Sequence, residues 1–275
     1  MDRKPIGIFD SGYGGLTVLK SIVEKLPEYD YVYIGDNART PYGTRSFETV
    51  YDYTLQAVKT FFEMGCELVI LACNTASAKA LRSIQQNDLP LLGSEKRVLG
   101  VIRPSAEIIG EKTRNNHVGI FATPGTVNSE SYLLEIDKLH PDIKVTQEAC
   151  PIWVPLIENN EFNNDGGKYF VKKHVDALLS KDNDIDTIIL GCTHYPLLND
   201  ILKEYLPKNT LILSQGDLVA NSLENYLSKH TNLANNCTKG GSVKYFTTDD
   251  PKIFEARAEI FLGNPIQVER IVLKK

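Results

Sequence analysis

Short apolar runs alternate along the chain with stretches whose apolar residues recur at helical spacing. IGIF (6–9), YVYIG (31–35), LVILA (68–72), VLGVI (98–102), VGIF (118–121), IKVTQ (143–147), TIILG (187–191), TLIL (210–213) and VKYF (243–246) read as strands. Most are aliphatic and β-branched with little polar alternation, the signature of strands buried on both faces. Between them, Val18, Leu19, Ile22, Val23 and Leu26 share one helical face, as do Leu55, Val58, Phe61 and Phe62. Ala76 to Ile84 reads as a helix, and a last helix begins near Pro251. The polar stretches 158–168 and 232–242 read as loops. Strands spaced by amphipathic helices predict an α/β fold of doubly wound, mainly parallel sheets.

Two patterns recur in the same order. GIFDSG starts at Gly7 and GIFATPG at Gly119, an offset of 112 residues. LVILACNTASA (68–78) and TIILGCTHYPL (187–197) each run strand, small residue, Cys and helix, and Cys192 follows Cys73 by 119 residues. Two matches in order point to two related halves. The expected division is a first α/β domain of residues 1–97 plus 209–275 and a second of residues 98–208, with a site between them.

Composition narrows the class. With 42% hydrophobic and 24% charged residues over 275 positions, the chain can build packed cores and is neither disordered nor fibrous. A net charge of −5 without basic clusters weighs against nucleic-acid binding. No run is apolar enough to span a membrane, and MDRKPIGIFD enters its first strand without a signal-peptide core, so a cytoplasmic location is expected. Five cysteines, an odd number without a C-x-x-C pair, exclude a disulfide framework.

In open α/β sheets ligands collect at the carboxyl ends of strands. Asp10, Ser11, Asp36, Cys73, Asn74, Thr75, Thr123, Cys192, Thr193 and His194 all fall there. Cys73 and Cys192 lie just before helices, where free N–H groups favour a thiolate. Cys66 precedes its strand, Cys237 lies in a polar loop, and Cys150 has no evident partner. Equivalent thiols from two halves suit a reaction that takes a proton from one face of a carbon and returns it to the other, racemisation or epimerisation. Asp10 and His194 are suitable helpers. Competing readings are weaker. Cys192 with His194 could be half of a zinc site, but no further ligand cluster has the spacing. A Cys–His hydrolase leaves Cys73 and the duplication unexplained. DSGYGG (10–15) lacks the Lys of a P-loop and reads as a turn that admits a small anion such as a carboxylate.

FDSGYGGLTVL (9–19), GDNARTPYG (35–43), ACNTASA (72–78), ATPGTV (122–127), VPLIE (154–158) and GCTHYPLL (191–198) together resemble the cofactor-independent glutamate racemases of the aspartate/glutamate racemase superfamily. The resemblance runs through the first three-quarters of the chain, and SQGDLVANSL fits loosely. It implies two α/β domains closing on glutamate, with Cys73 and Cys192 catalytic, Asp10 assisting the first, and His194 and Glu158 the second. It implies substrate contacts from Ser11, Pro41, Tyr42, Gly43, Asn74, Thr75, Thr123 and Thr193. It further implies no cofactor or metal, a homodimer, no nucleic-acid or membrane partner, and D-glutamate supply for peptidoglycan synthesis. Asp36 is equally a cap for the PYG loop. Aspartate racemase is the close alternative, distinguished by pocket depth, and a non-catalytic glutamate-binding or inhibitory module is the distant one. GVIRPSA (100–106) departs from the family pattern, with Arg103 where an acidic residue is usual, a change expected to bear on the domain interface or regulation and not on the reaction. The long N-terminal extension of members activated by a cell-wall precursor is absent from this sequence, so that activation is not expected.

Overall fold

The structure, a computed structural model, describes residues 4–274. Its strands are β1 (Ile6–Asp10), β2 (Tyr31–Gly35), β3 (Leu68–Leu71), β4 (Arg97–Gly100), β5 (His117–Ala122), β6 (Lys144–Ala149), β7 (Thr187–Gly191), β8 (Leu211–Leu213), β9 (Val243–Thr247) and β10 (Val268–Arg270). They form two wholly parallel sheets, ordered β10-β9-β2-β1-β3-β4 and β6-β5-β7-β8. Every residue of β1, β2, β3 and β7 is buried, as their unbroken apolar runs require.

The β2-β1-β3-β4 block and the β6-β5-β7-β8 sheet have the same strand order. The registers agree too. Gly7 lies opposite Val69 and Phe9 opposite Leu71, while Gly119 lies opposite Ile188 and Phe121 opposite Leu190. These are the pairs that offsets of 112 and 119 residues demand. Gly7 and Gly119 share a packing role: a Cβ would come within 2.6 Å of the Phe61 ring at the first and 2.8 Å of Leu178 at the second. Each glycine lets a covering helix close onto its central strand.

The expected domain boundaries need correction at both switch points. The run VLGVI was placed at the start of the second half, but β4 pairs with β3, from Leu68 opposite Arg97 to Leu71 opposite Gly100. Its last two residues leave the sheet, and Ile102–Lys112 is a helix. TLIL was grouped with the C-terminal part, but β8 pairs with β7. The reason is the same in both halves. β3 and β7 are apolar and buried throughout, and without a fourth strand each would be an open, aggregation-prone edge. The chain thus changes sheet after Gly100 and again after Leu213.

Smaller differences are local. The helix expected over 76–84 is Asn74–Lys79 followed by shorter turns, including a π-helical one at Ile84–Asp88. The stretch expected as loop at 232–242 contains the helix Thr231–Asn236. The loop at 158–168 ends early, because Asn164 caps a helix beginning at Asp165, its Oδ1 accepting the Gly167 N–H at 2.8 Å.

The halves share packing. Helix Gln215–Lys229 lies on helix Gly15–Lys25. One apolar cluster includes Ile8 and Leu16 from the first half, Phe121, Trp153 and Leu190 from the second, and Leu223 from the crossing helix. Among the described residues no helix is long and apolar enough to cross a membrane.

Candidate active site

The carboxyl ends of β1, β3, β5 and β7 meet at the junction of the two sheets. β3 delivers Cys73, which caps the helix Asn74–Lys79, its sulfur accepting the Ala76 N–H at 3.5 Å. The Cys73 thiol donates to Ser11 Oγ at 3.4 Å. β7 delivers Cys192, whose sulfur lies 3.8 Å from His194 Nδ1. His194 Nε2 meets Glu158 Oε1 at 2.9 Å. Cys73 and Cys192 are both buried, and the sulfurs are near enough for Cys192 to influence the Cys73 titration.

The electrostatics of the two thiols differ. Burial pushes the Cys73 thiol up to about 12, and the nearby Asp10 carboxylate adds to the rise against the opposing bonds from Ser11 and Ala76. The thiolate expected from the helix start is therefore not the resting form at Cys73, because desolvation outweighs one long N–H contact. For His194, burial works to lower the imidazole, but its bonds to Cys192 and Glu158 prevail and lift it to about 10. At neutral pH an imidazolium thus faces Cys192. Asp10 is raised by burial, against the opposing charge of His194 and the Gly12 and Gly15 N–H groups.

Asp10 reaches across the junction: its Oδ2 accepts the Gly12 N–H at 2.9 Å, and its Oδ1 accepts the Thr193 hydroxyl at 3.4 Å. Thr17 Oγ1 donates to the Thr193 carbonyl at 3.1 Å. On the other side Thr75 and Thr123 share a hydrogen bond of 2.9 Å, and the Gly125 N–H donates to the Gly43 carbonyl at 2.7 Å. The structure thus brings together Asp10, Ser11, Gly43, Cys73, Thr75, Thr123, Cys192, Thr193, His194 and Glu158. Three further expected contacts are placed differently. Pro41 is exposed. The Tyr42 hydroxyl donates to Asp36, which also holds Arg39 Nε at 2.7 Å and the Thr248 hydroxyl at 2.9 Å, so Asp36 clamps the PYG loop. The Asn74 side chain is engaged with Gln215 and Tyr132 in a buried network. Arg103 lies on the surface, bonded to Glu107 at 2.8 Å.

The glycine-rich turn also has a packing role that its sequence does not signal. A Cβ on Gly14 would fall 2.3 Å from Thr193 Oγ1 and 2.4 Å from His194 Nδ1. The bare backbone there admits the Cys192–His194 loop of the opposite half. Phe261, on the C-terminal helix Pro251–Leu262, sets its ring edge-on to His194 at 5.6 Å. Neither relation had a local signal in the sequence, since each joins residues far apart in the chain. A metal reading of Cys192 and His194 fits poorly: the imidazole turns one nitrogen to Cys192 and the other to Glu158, so the three donors do not converge. The converging His117, Asp182 and Asp184 lie elsewhere, and Asp182 is already paired with His117 and Lys144.

Over nearly its whole length the chain is similar to known glutamate racemases. The sequence is 41% identical to the glutamate racemase of Roseobacter denitrificans over 272 residues, 95% of this chain and 98% of that one. The fold matches a glutamate racemase isoform of Bacillus anthracis with a TM-score of 0.89 at 34% identity, covering 99% of each chain. It matches the Francisella tularensis glutamate racemase, solved in complex with D-glutamate, with a TM-score of 0.85 at 33% identity, again over 99% of each chain. The profile of the Asp/Glu/Hydantoin racemase family matches residues 6–220, and the chain belongs to that family.

Proposed function

We propose that the protein interconverts L- and D-glutamate by moving the Cα proton between two thiols. One observation carries the mechanism: buried sulfurs stand at the ends of register-equivalent strands from two halves, one beside Ser11 and the other beside the His194–Glu158 pair. With L-glutamate bound, the Cys192 thiolate takes the Cα proton and becomes a thiol. The carbanion then takes the Cys73 proton on its opposite face, giving D-glutamate and a Cys73 thiolate. The reverse reaction exchanges these roles. Burial serves both steps, since a sulfur anion stripped of water is a stronger base towards a weak carbon acid.

The substrate carboxylates and ammonium would be held by the side chains of Ser11, Thr75, Thr123 and Thr193 and by main-chain groups of Tyr42, Gly43 and Asn74, since the Tyr42 and Asn74 side chains are engaged elsewhere and Pro41 is exposed. The helix start at Asn74 would supply N–H groups for a carboxylate. The glutamate racemases among the relatives favour glutamate over aspartate. On the same reading the enzyme is a cytoplasmic homodimer that feeds D-glutamate into peptidoglycan synthesis, needing no metal or cofactor.

Circular dichroism of L-glutamate and of L-aspartate with purified protein tests the reaction, with and without zinc and chelator. Loss of signal with L-glutamate alone, unaffected by chelator, is expected. Turnover of aspartate only, or turnover abolished by chelator and restored by zinc, overturns the reading. Light scattering on the eluting protein checks the dimer, and rescue of a depleted cell by D-glutamate checks the physiological role.

A further inference from the structure

Behind the two thiols lies a closed ring of hydrogen bonds that the mechanism above leaves unused. Asn74 Nδ2 donates to Gln215 Oε1 at 2.5 Å, Gln215 Nε2 donates to the Tyr132 hydroxyl at 2.6 Å, and that hydroxyl donates to Asn74 Oδ1 at 2.8 Å. All three side chains are at least 97% buried. Gln215 Nε2 also reaches the Val101 carbonyl at 3.0 Å and Ser105 Oγ at 3.2 Å. The ring joins elements distant in the chain: the helix after β3, helix Ser131–Leu139 and helix Gln215–Lys229. Buried amides and hydroxyls are costly to leave unpaired, so such a ring has one satisfied arrangement and resists being stretched.

Its two ends adjoin the two sulfurs. Asn74 directly follows Cys73 and begins the helix that Cys73 caps. The Tyr132 ring packs on the residue directly before Cys192: a Cβ on Gly191 would lie 3.2 Å from Tyr132 Cε2. Gln215 is the link that binds these ends to each other and to the β4 side of the junction through Val101. We propose that Gln215, closed into a ring with Asn74 and Tyr132, is a positioning residue that sets the separation of the Cys73 and Cys192 sulfurs across the substrate. It touches neither sulfur and acts on both proton transfers at once. This rests on the racemase reading, because only a reaction needing both thiols at fixed reach of one carbon is sensitive to their separation.

The test uses the full chain as Gln215→Leu and as Tyr132→Phe, the second removing one hydroxyl while keeping the ring that packs on Gly191. For each, kcat and KM are measured from both enantiomers, with Cα-protiated and Cα-deuterated glutamate, and normalised to the folded fraction. Gln215→Leu is expected to lower kcat about 10- to 100-fold, in line with an ångström-scale misplacement. The isotope effect on kcat should rise by the same factor from L- and from D-glutamate, since both transfers become slower relative to binding and release. Tyr132→Phe should show the same signature more weakly. The double variant should be little worse than Gln215→Leu alone, as members of one ring are non-additive. A fall in kcat with unchanged isotope effects would mean that the ring only supports the fold, and overturns the proposal. A rise from one enantiomer alone would tie the ring to a single thiol, and unchanged kinetics in both variants would leave it without a catalytic part; either overturns it. Wild-type protein that fails to turn over glutamate overturns the racemase reading and this one together, whereas active wild type with unaltered variants overturns only this one.

Discussion

The loop after β3 reads Cys73-Asn74-Thr75 and the loop after β7 reads Cys192-Thr193-His194, on strands that occupy the same place in two sheets of the same order. At the end of the neighbouring central strand the first half has Asp10, whereas the second has Ala122 at the matching position. So the half with the acidic strand end has an uncharged cysteine loop, and the half with the plain strand end has a basic one. The outcome is a Cys73 thiol held up by burial and carboxylate, opposite a Cys192 sulfur facing an imidazolium. Duplicated topology placed the two sulfurs at equivalent strand ends, and divergence at two cysteine-loop positions and one strand end made their surroundings chemically unlike. A two-base reaction needs this, because at any moment one sulfur must lack the proton that the other carries.

The most severe way to break the symmetry is to delete one sulfur. Cys73→Ala and Cys192→Ala should each cost on the order of 10² to 10⁴ in racemisation, since neither acid nor base has a substitute. Circular dichroism of glutamate checks this, with far-UV spectra confirming the fold. A variant that keeps more than about a tenth of wild-type turnover would show that one thiol suffices.

Next in size is Gly14→Ala. The added Cβ would collide with Thr193 and His194 on the opposite half. Overpacking of this sort costs about 1–3 kcal/mol, and the parting of His194 from its place should reduce kcat about tenfold or more. Denaturant midpoint and kcat are measured together. A variant with normal values for both would mean that the loops adjust freely and that Gly14 does not gate their approach.

A third test sharpens the charge difference through pH. His194 is lifted from 6.5 to about 10 in the folded protein. A group raised on folding binds its proton more tightly in the native state, so its contribution is complete below about 6.5 and is lost as pH climbs through about 10. Wild type minus His194→Asn should therefore show a stability advantage that shrinks between these limits. Urea midpoints at neutral and alkaline pH report it, and a difference independent of pH would remove the imidazolium from the account.

The subtlest test separates the two transfers. Racemisation has an equilibrium constant of one, so the ratio of kcat/KM for the two enantiomers is fixed in any variant. Unequal damage must show in Cα-deuterium isotope effects. On the proposed mechanism, in which Cys73 takes the proton of D-glutamate and Cys192 that of L-glutamate, Asp10→Asn should raise the effect more from D-glutamate and His194→Asn more from L-glutamate. Equal rises in both variants would indicate that the helpers hold geometry only. Asp10 complicates its own case, since it bonds Thr193 across the junction. Its asymmetry should accordingly be smaller than that of His194.

The strands were legible wherever burial on both faces left an unbroken apolar run, as in β1, β3 and β7. The repeat was legible because pairing register preserves sequence offsets along a strand. Cys73, Cys192, Asp10 and His194 could be picked out because chemical groups at strand ends sit where parallel sheets bind ligands. Glu158 was reached through the family resemblance, since nothing at its own position shows that it will meet His194.

Which sheet β4 and β8 would join was not legible. Arg97–Gly100 and Leu211–Leu213 are short, partly exposed edge segments whose partner is set by the open side of β3 or β7, not by their own composition. The role of Gly14 was likewise hidden, because a missing side chain gives no sign of what will fill its space. The Gln215–Asn74–Tyr132 ring and the Phe261 contact join residues that only the packing of helices on both halves brings together. The sequence by itself therefore determined the strands, the duplication and the chemical groups presented at the strand ends, all of which follow from local pattern. Tertiary structure alone decided the distances between those groups, their desolvation and hence their proton affinities, because these depend on what the other half of the chain places against them.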